Sequence, residues 1–179
     1  MPRGDVVIAK PHIPDWLRRF LRISAGHRYY PLVVALIAFA ATVTFSFPFV
    51  IVLIPAVLIA PRRWLSLGVL SGLASGLAGG ALVEVFHFMG YELVLSRFPQ
   101  VAASEKWQFA ADWLDRYGLL ALAVVAGSPM PQTPVVFLYS LAHPSTVGAM
   151  IAIGIGKTVK YVVLAWLTQH YPKRFRNYR

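Results

Sequence analysis

In "GIGKTVKYVVLAWL", Lys157, Lys160 and Tyr161 stand at i, i+3 and i+4, so a helix here carries two ammonium groups and a phenol on one face. The apolar segment around them, from Ser145 to about Thr168, is long enough to span a bilayer once. Lys157 lies about twelve residues from either end, roughly 17 Å of helix, too deep for its ammonium to reach a surface comfortably. A cation at that depth needs a partner, and the chemistry that two ammoniums and a phenol fit is an anionic headgroup. Lys160, nearer one surface, also suits a snorkelling anchor. In an earlier apolar segment Glu84, His87 and Tyr91 share a face at i, i+3 and i+7. Glu84 is either a further wall of the same site or a structural counter-ion for Lys157.

Three other chemistries fail on spacing. "IGIGKT" has Ile151 where the phosphate-binding pattern G-x-x-x-x-G-K-[ST] requires glycine. Histidines 12, 27, 87, 143 and 170 show no metal-ligand spacing, and with no cysteine in the chain neither a thiolate metal site nor a disulfide is available. Ser128 in "AGSPM" is not on a nucleophile elbow. No catalytic residue, metal or cofactor is therefore expected, and the chain does not read as an enzyme.

The elements that would position the lysines are those of an integral membrane protein. Of the 179 residues 58% are hydrophobic, and the charge sits at the two ends and in two short internal stretches. Apolar runs near 31–61, 64–83 and 117–156 exceed what a globular core needs and match hydrocarbon thickness. The net charge of +10 flanks these runs instead of alternating with aromatics on a polar face, which fits anionic lipid headgroups and not nucleic acid. Residues 1–30 form a basic segment in which "PDWLRRFLRI" sets Trp16, Leu17, Phe20 and Leu21 opposite arginines, as an amphipathic helix on a membrane surface does.

Length decides how the runs are used. Residues 31–61 carry no charge but hold Pro48 and Pro55. Two full passes would leave about 15 residues each, roughly 22 Å against about 30 Å of hydrocarbon. A re-entrant hairpin with its tip at Pro48 fits instead. Residues 118–143 repeat the pattern, with Pro129, Pro131 and Pro134 at the tip. Each hairpin precedes one span, 64–91 and 145–168, and an interfacial helix over 97–117 joins the copies. A basic tail, 172–179, ends the chain.

With both hairpins re-entrant, twelve of the seventeen basic residues fall on one side, which the positive-inside rule makes cytoplasmic together with both termini. The hairpins then enter from opposite faces as an inverted repeat, the organisation that sets a binding site at the repeat interface near the midplane. Four conventional spans would also satisfy hydropathy. Gly68, Gly72, Gly76 and Gly80 leave one stripe of the first span without side chains, and Gly148, Ala152 and Gly156 echo it in the second.

"FSFPFVIVLIPAVLIAPRRW", "WLDRYGLLALAVVAGSPMPQTPVVFLYSLA" and "GIGKTVKYVVLAWL" together resemble the DedA superfamily, also called the SNARE-associated or VTT-domain family, and within it the YqaA-like branch. The resemblance covers about 31–171. It rests on the aromatic–glycine pair Tyr117–Gly118, the proline-rich tip, and Gly156, Lys157, Lys160 and Tyr161 in a G-K-x-x-[RK]-Y pattern. It implies two facing re-entrant hairpins and movement of lipids, polyprenyl phosphates or phospholipids, across a bacterial inner (plasma) membrane. The chain departs from the family where Phe49 and Val50 replace an acidic residue after the first hairpin proline, and where Ser128 and Pro134 replace arginines at the second tip. Positive charge for an anion must then come from Lys157 and Lys160. The expectation is a lipid translocase or scramblase with membrane lipids as partners, its site bounded by Lys157, Lys160, Tyr161, Glu84 and His87. A non-transporting, membrane-organising protein that shapes membranes or assembles partners through its glycine-rich faces, and a proton-coupled solute carrier, are the alternatives; a homo-oligomer is a further expectation.

Overall fold

The computed structural model describes residues 15–44, 48–97, 105–130, 132–141 and 145–171. All regular elements among them are helical: α1 (Asp15–Ala25), α2 (Tyr30–Thr44), α3 (Val50–Ile59), a 3-10 turn (Pro61–Arg63), α4 (Trp64–Arg97), α5 (Glu105–Gly127), α6 (Thr133–Leu141) and α7 (Thr146–His170). Two stretches, Pro61–Gly90 and Thr146–His170, are long and apolar enough to cross a membrane. The 15 residues of α2 and 10 of α3 are not, reaching about 22 and 15 Å. Arg3, Lys10, Pro131, the 172–179 tail and the side chain of Tyr91 lie outside what is described.

Local chemistry sets the helix limits. Helix α3 starts just past Pro48 and tolerates Pro55 in its interior. Pro134 takes the second position of α6, where the missing N–H would have no intrahelical acceptor. Ser145 caps α7, its side chain accepting from the Gly148 amide at 3.1 Å. The break expected between an interfacial helix ending at 117 and a hairpin arm starting at 118 is absent: α5 runs through it. A lone glycine costs a helix only about 1 kcal/mol, and Gly118 makes room for the Tyr139 ring, which a Cβ there would approach to 2.7 Å. Likewise α4 continues past Tyr91 to Arg97.

The long helices α4 and α7 pack antiparallel along the glycine stripe. Gly68 faces Val162, Gly72 faces Thr158, Gly76 faces Gly154 and Gly80 faces Met150, one turn at a time. At Gly76 the backbones nearly touch, since a Cβ would stand 2.7 Å from the Gly154 Cα. Such approach maximises dispersion contact between helices with no side chain in the way. Gly148 and Gly156 do not join this seam. They face Leu119 and the Ala123–Gly127 stretch of α5.

The shorter helices form two hairpins around this pair. Helix α2 runs beside α4: Arg63 Nη1 donates to the His27 carbonyl (2.5 Å) at the base, and Thr42 meets Ser75 (3.2 Å) further along. Helix α3 brings the chain back to where α2 began. Helix α5 runs beside α7 in the same way, and α6 returns to the α7 start, where the Ser145 amide donates to the Tyr139 hydroxyl (3.2 Å). The return arms cross over, α3 packing on α7 and α6 on α4. One hairpin is thus based at the start of α4, the other at the start of α7, and because these helices are antiparallel the two bases lie at opposite ends. Each hairpin contributes to its own buried cluster, one around Tyr30, Leu53, Leu67 and Tyr161, the other around Val83, Leu122, Val136 and Ile153.

Candidate functional site

The sequence places Lys157, Lys160 and Tyr161 on one turn of α7, and the fold brings both hairpin tips to that turn. Lys157 is buried, 8% exposed, and its Nζ donates to the Thr42 hydroxyl at 3.0 Å, two residues before the end of the first hairpin's entering arm. Thr42 in turn donates to the Ala38 carbonyl (2.8 Å) and lies 3.2 Å from the Ser75 hydroxyl. Tyr161 hydrogen-bonds Ser75 through its hydroxyl and packs its ring on Phe49, centroids 5.1 Å apart. Phe49 directly follows Pro48, so the first tip rests on Tyr161.

Lys160 reaches the other way. Its Nζ donates to the Ser128 carbonyl at 2.6 Å, immediately beyond the C-terminus of α5 and one residue before Pro129. An ammonium at the carbonyl end of a helix is well placed against the helix dipole. Pro48, Pro129 and Pro134 are exposed. Each lysine therefore holds a different hairpin, although they stand one turn apart on a single helix.

This turn is short of acceptors. Lys157 has three N–H donors, and the Thr42 hydroxyl is its one hydrogen-bond partner among the described residues, with no carboxylate paired to it. Ser71, fully buried one turn before Ser75 on the same face of α4, has no partner for its hydroxyl among the described residues, and neither has Thr158 beside Lys157. Buried polar groups in such a state are expensive unless water or a ligand completes them. Two ammoniums, a phenol and several hydroxyls thus lie on or against this one turn, and no carboxylate among the described residues is paired with either ammonium.

Glu84 and His87 belong elsewhere. The Glu84 carboxylate accepts from the Thr146 hydroxyl in the first turn of α7, about 16 Å of helix from Lys157, and His87 Nδ1 lies 2.7 Å from the Ser140 carbonyl on α6. The antiparallel register separates them: residue 84 continues the seam beyond Gly80–Met150, away from the lysines. Both groups instead fasten α4 to the base of the second hairpin, and a carboxylate at the start of α7 is favourably placed against its dipole. The supposed Glu84–Lys157 pair does not form.

Sequence reasoning missed Thr42, Ser75 and the Ser128 carbonyl. Thr42 and Ser75 do leave a trace, as hydroxyls inside the apolar runs "FAATVTF" and "GLASGLA". Comparisons with protein-family models, with characterised proteins and with solved structures found no match to this chain, so the likeness to the DedA superfamily stands on the motifs quoted above.

Proposed function

We propose that the chain is an integral membrane protein that moves lipids with anionic headgroups between leaflets, using the α7 turn from Lys157 to Tyr161 as the headgroup site. The observation that carries this reading is the buried Lys157 ammonium, partnered among the described residues by one neutral hydroxyl at the turn that both hairpins reach. A membrane setting is supported by the distribution of side chains. Val147, Ile151, Ile155, Val159 and Val163 expose a continuous apolar stripe on α7, and Leu73 and Leu77 do so on α4, while Lys157, Ser71 and Ser75 are buried. A protein facing water would not leave so long a stripe bare, whereas in lipid the polar groups must turn inward.

On this reading the hairpins based at opposite ends are an inverted-topology repeat, one entering from each leaflet of a bacterial inner membrane, with both termini cytoplasmic. A headgroup reaching the α7 turn from either leaflet meets the same ammoniums, while its chains stay in the bilayer beside the apolar outer faces. The protein's part is to replace headgroup hydration with hydrogen bonds at mid-depth, lowering the barrier that makes unassisted exchange slow.

The chain contains no cysteine, so topology is directly measurable. Arg62→Cys and Gln108→Cys should react with an impermeant thiol reagent from opposite sides of the membrane; equal labelling from one side would exclude the re-entrant arrangement. Function is tested in proteoliposomes carrying a fluorescent lipid. Protein that leaves every probe in its starting leaflet would favour the membrane-organising alternative, whereas exchange that is faster for an anionic probe than for a zwitterionic one is the expected result.

A further inference from the structure

The geometry points to Lys157 and Lys160 as displaceable latches: an anionic headgroup that binds them does so by taking them from Thr42 and from the Ser128 carbonyl, and so frees one hairpin each. The inference rests on the proposed headgroup site, and it concerns what binding there does to the fold.

Each lysine bond is a tether between α7 and one hairpin. Lys157 Nζ to Thr42 Oγ1 (3.0 Å) holds α2 near its tip, and Lys160 Nζ to the Ser128 carbonyl (2.6 Å) holds the end of α5. The acceptors are a neutral hydroxyl and a neutral carbonyl. In both tethers only the donor is charged, whereas a phosphate oxygen adds the attraction of an opposite charge, which grows as the local dielectric falls. Lys157 is 8% exposed, too enclosed for a headgroup to reach its remaining N–H groups in place, so the anion binds the ammonium by drawing it from Thr42. Thr42 tolerates the loss, because its hydroxyl keeps the bonds to Ala38 and Ser75. Ser128 tolerates it less, since its carbonyl stands at a helix terminus and has to find water or another donor.

Among the described residues, Phe49 and Ser128 add only an apolar or a local contact at each tip. Phe49 on Tyr161 is a ring contact without a hydrogen bond between the rings, and Ser128 Oγ bonds within its own turn, to the Val125 carbonyl (2.9 Å) and from the Met130 amide (3.2 Å). Losing a lysine tether leaves each tip internally folded but looser against α7. Substrate binding then opens the path that the substrate needs, and departure of the headgroup closes it. Thr42 becomes a positioning residue: it holds Lys157 when no lipid is present and competes with the headgroup.

Competition gives the inference a sign that a simple binding site lacks. Thr42→Val removes the acceptor and leaves the ammonium, so no bond has to be broken when the anion arrives. Phosphatidic acid should bind this variant several-fold more tightly than wild type in phosphatidylcholine nanodiscs, with retained lipid read by native mass spectrometry. Thr42→Ser, which keeps the hydroxyl, should match wild type and controls for packing.

The movement is read by spin labels on otherwise cysteine-free protein, at 44 and 163 for the first hairpin and at 130 and 163 for the second. These positions are exposed. In phosphatidylcholine alone both distance distributions should be narrow, and phosphatidic acid should shift and broaden both. Thr42→Val should broaden the first pair without phosphatidic acid and leave the second unchanged; Lys160→Met should do the reverse. Phosphatidic acid bound by wild type with neither distance changed would overturn the latch and leave the site standing, as would Thr42→Val binding no tighter than Thr42→Ser. No binding of phosphatidic acid above phosphatidylcholine would overturn both.

Discussion

Gly76→Leu should yield little folded protein. A Cβ at this position would stand 2.7 Å from the Gly154 Cα and 2.8 Å from the Met150 carbonyl oxygen, and both are backbone atoms that no rotamer change can move. The longer side chain must therefore push α4 and α7 apart along the seam that joins the hairpins. Overpacking a core typically costs about 1–3 kcal/mol where side chains can adjust. Here the strain falls on two backbones, and the cost should exceed that range, a large part of the roughly 5–15 kcal/mol that holds a domain together. Size-exclusion chromatography and thermal melting of detergent-solubilised protein report the loss. Gly26→Ala, with nothing within 4 Å of its added Cβ, is the control and should behave as wild type. Gly76→Leu melting at the wild-type temperature would mean that α4 and α7 do not meet backbone to backbone.

That seam was legible in the sequence, because a four-residue glycine period has one simple physical use between helices. The alternation of short arms and long helix was legible too, since splitting residues 31–61 in two leaves passes of only about 22 Å of helix, and the structure has short helices there, Tyr30–Thr44 and Val50–Ile59. What apolar sequence hides is register and partner choice. Glu84 read either as a wall of the lysine site or as the counter-ion for Lys157, because charge alone suggested both; the antiparallel seam sets it level with Thr146 instead. Thr42 lies 115 residues from Lys157 in the chain. Nothing in the run "AFAATVTF" distinguishes a hydroxyl that bonds its own helix from one that also receives a lysine. The interfacial helix and the second hairpin's first arm were separated at Gly118 on a change of polarity, which a helix can cross without breaking.

Lys157→Met carries the second large effect. Methionine keeps the length and removes the charge. A lysine at mid-span costs about 2.5–3.5 kcal/mol on insertion scales, whereas its one hydrogen bond to Thr42 returns about 1.5–3 kcal/mol at most. The variant should therefore insert and melt at least as well as wild type. Loss of a charged hydrogen bond to an anion should lower transport by the same 1.5–3 kcal/mol, about tenfold to a hundredfold in rate. Lys157→Gln, which can donate but carries no charge, should recover little. Lys160→Met should slow anionic lipids less, because its ammonium also serves the α5 terminus through the Ser128 carbonyl.

The most direct measurement compares purified wild type and Lys157→Met in proteoliposomes that hold a fluorescent anionic lipid, following the fraction of probe that an impermeant quencher reaches from outside. Wild type should expose the inner-leaflet probe, and Lys157→Met, folded and reconstituted to the same density, should do so at least about tenfold more slowly. Equal rates for the two proteins would contradict a headgroup site at Lys157.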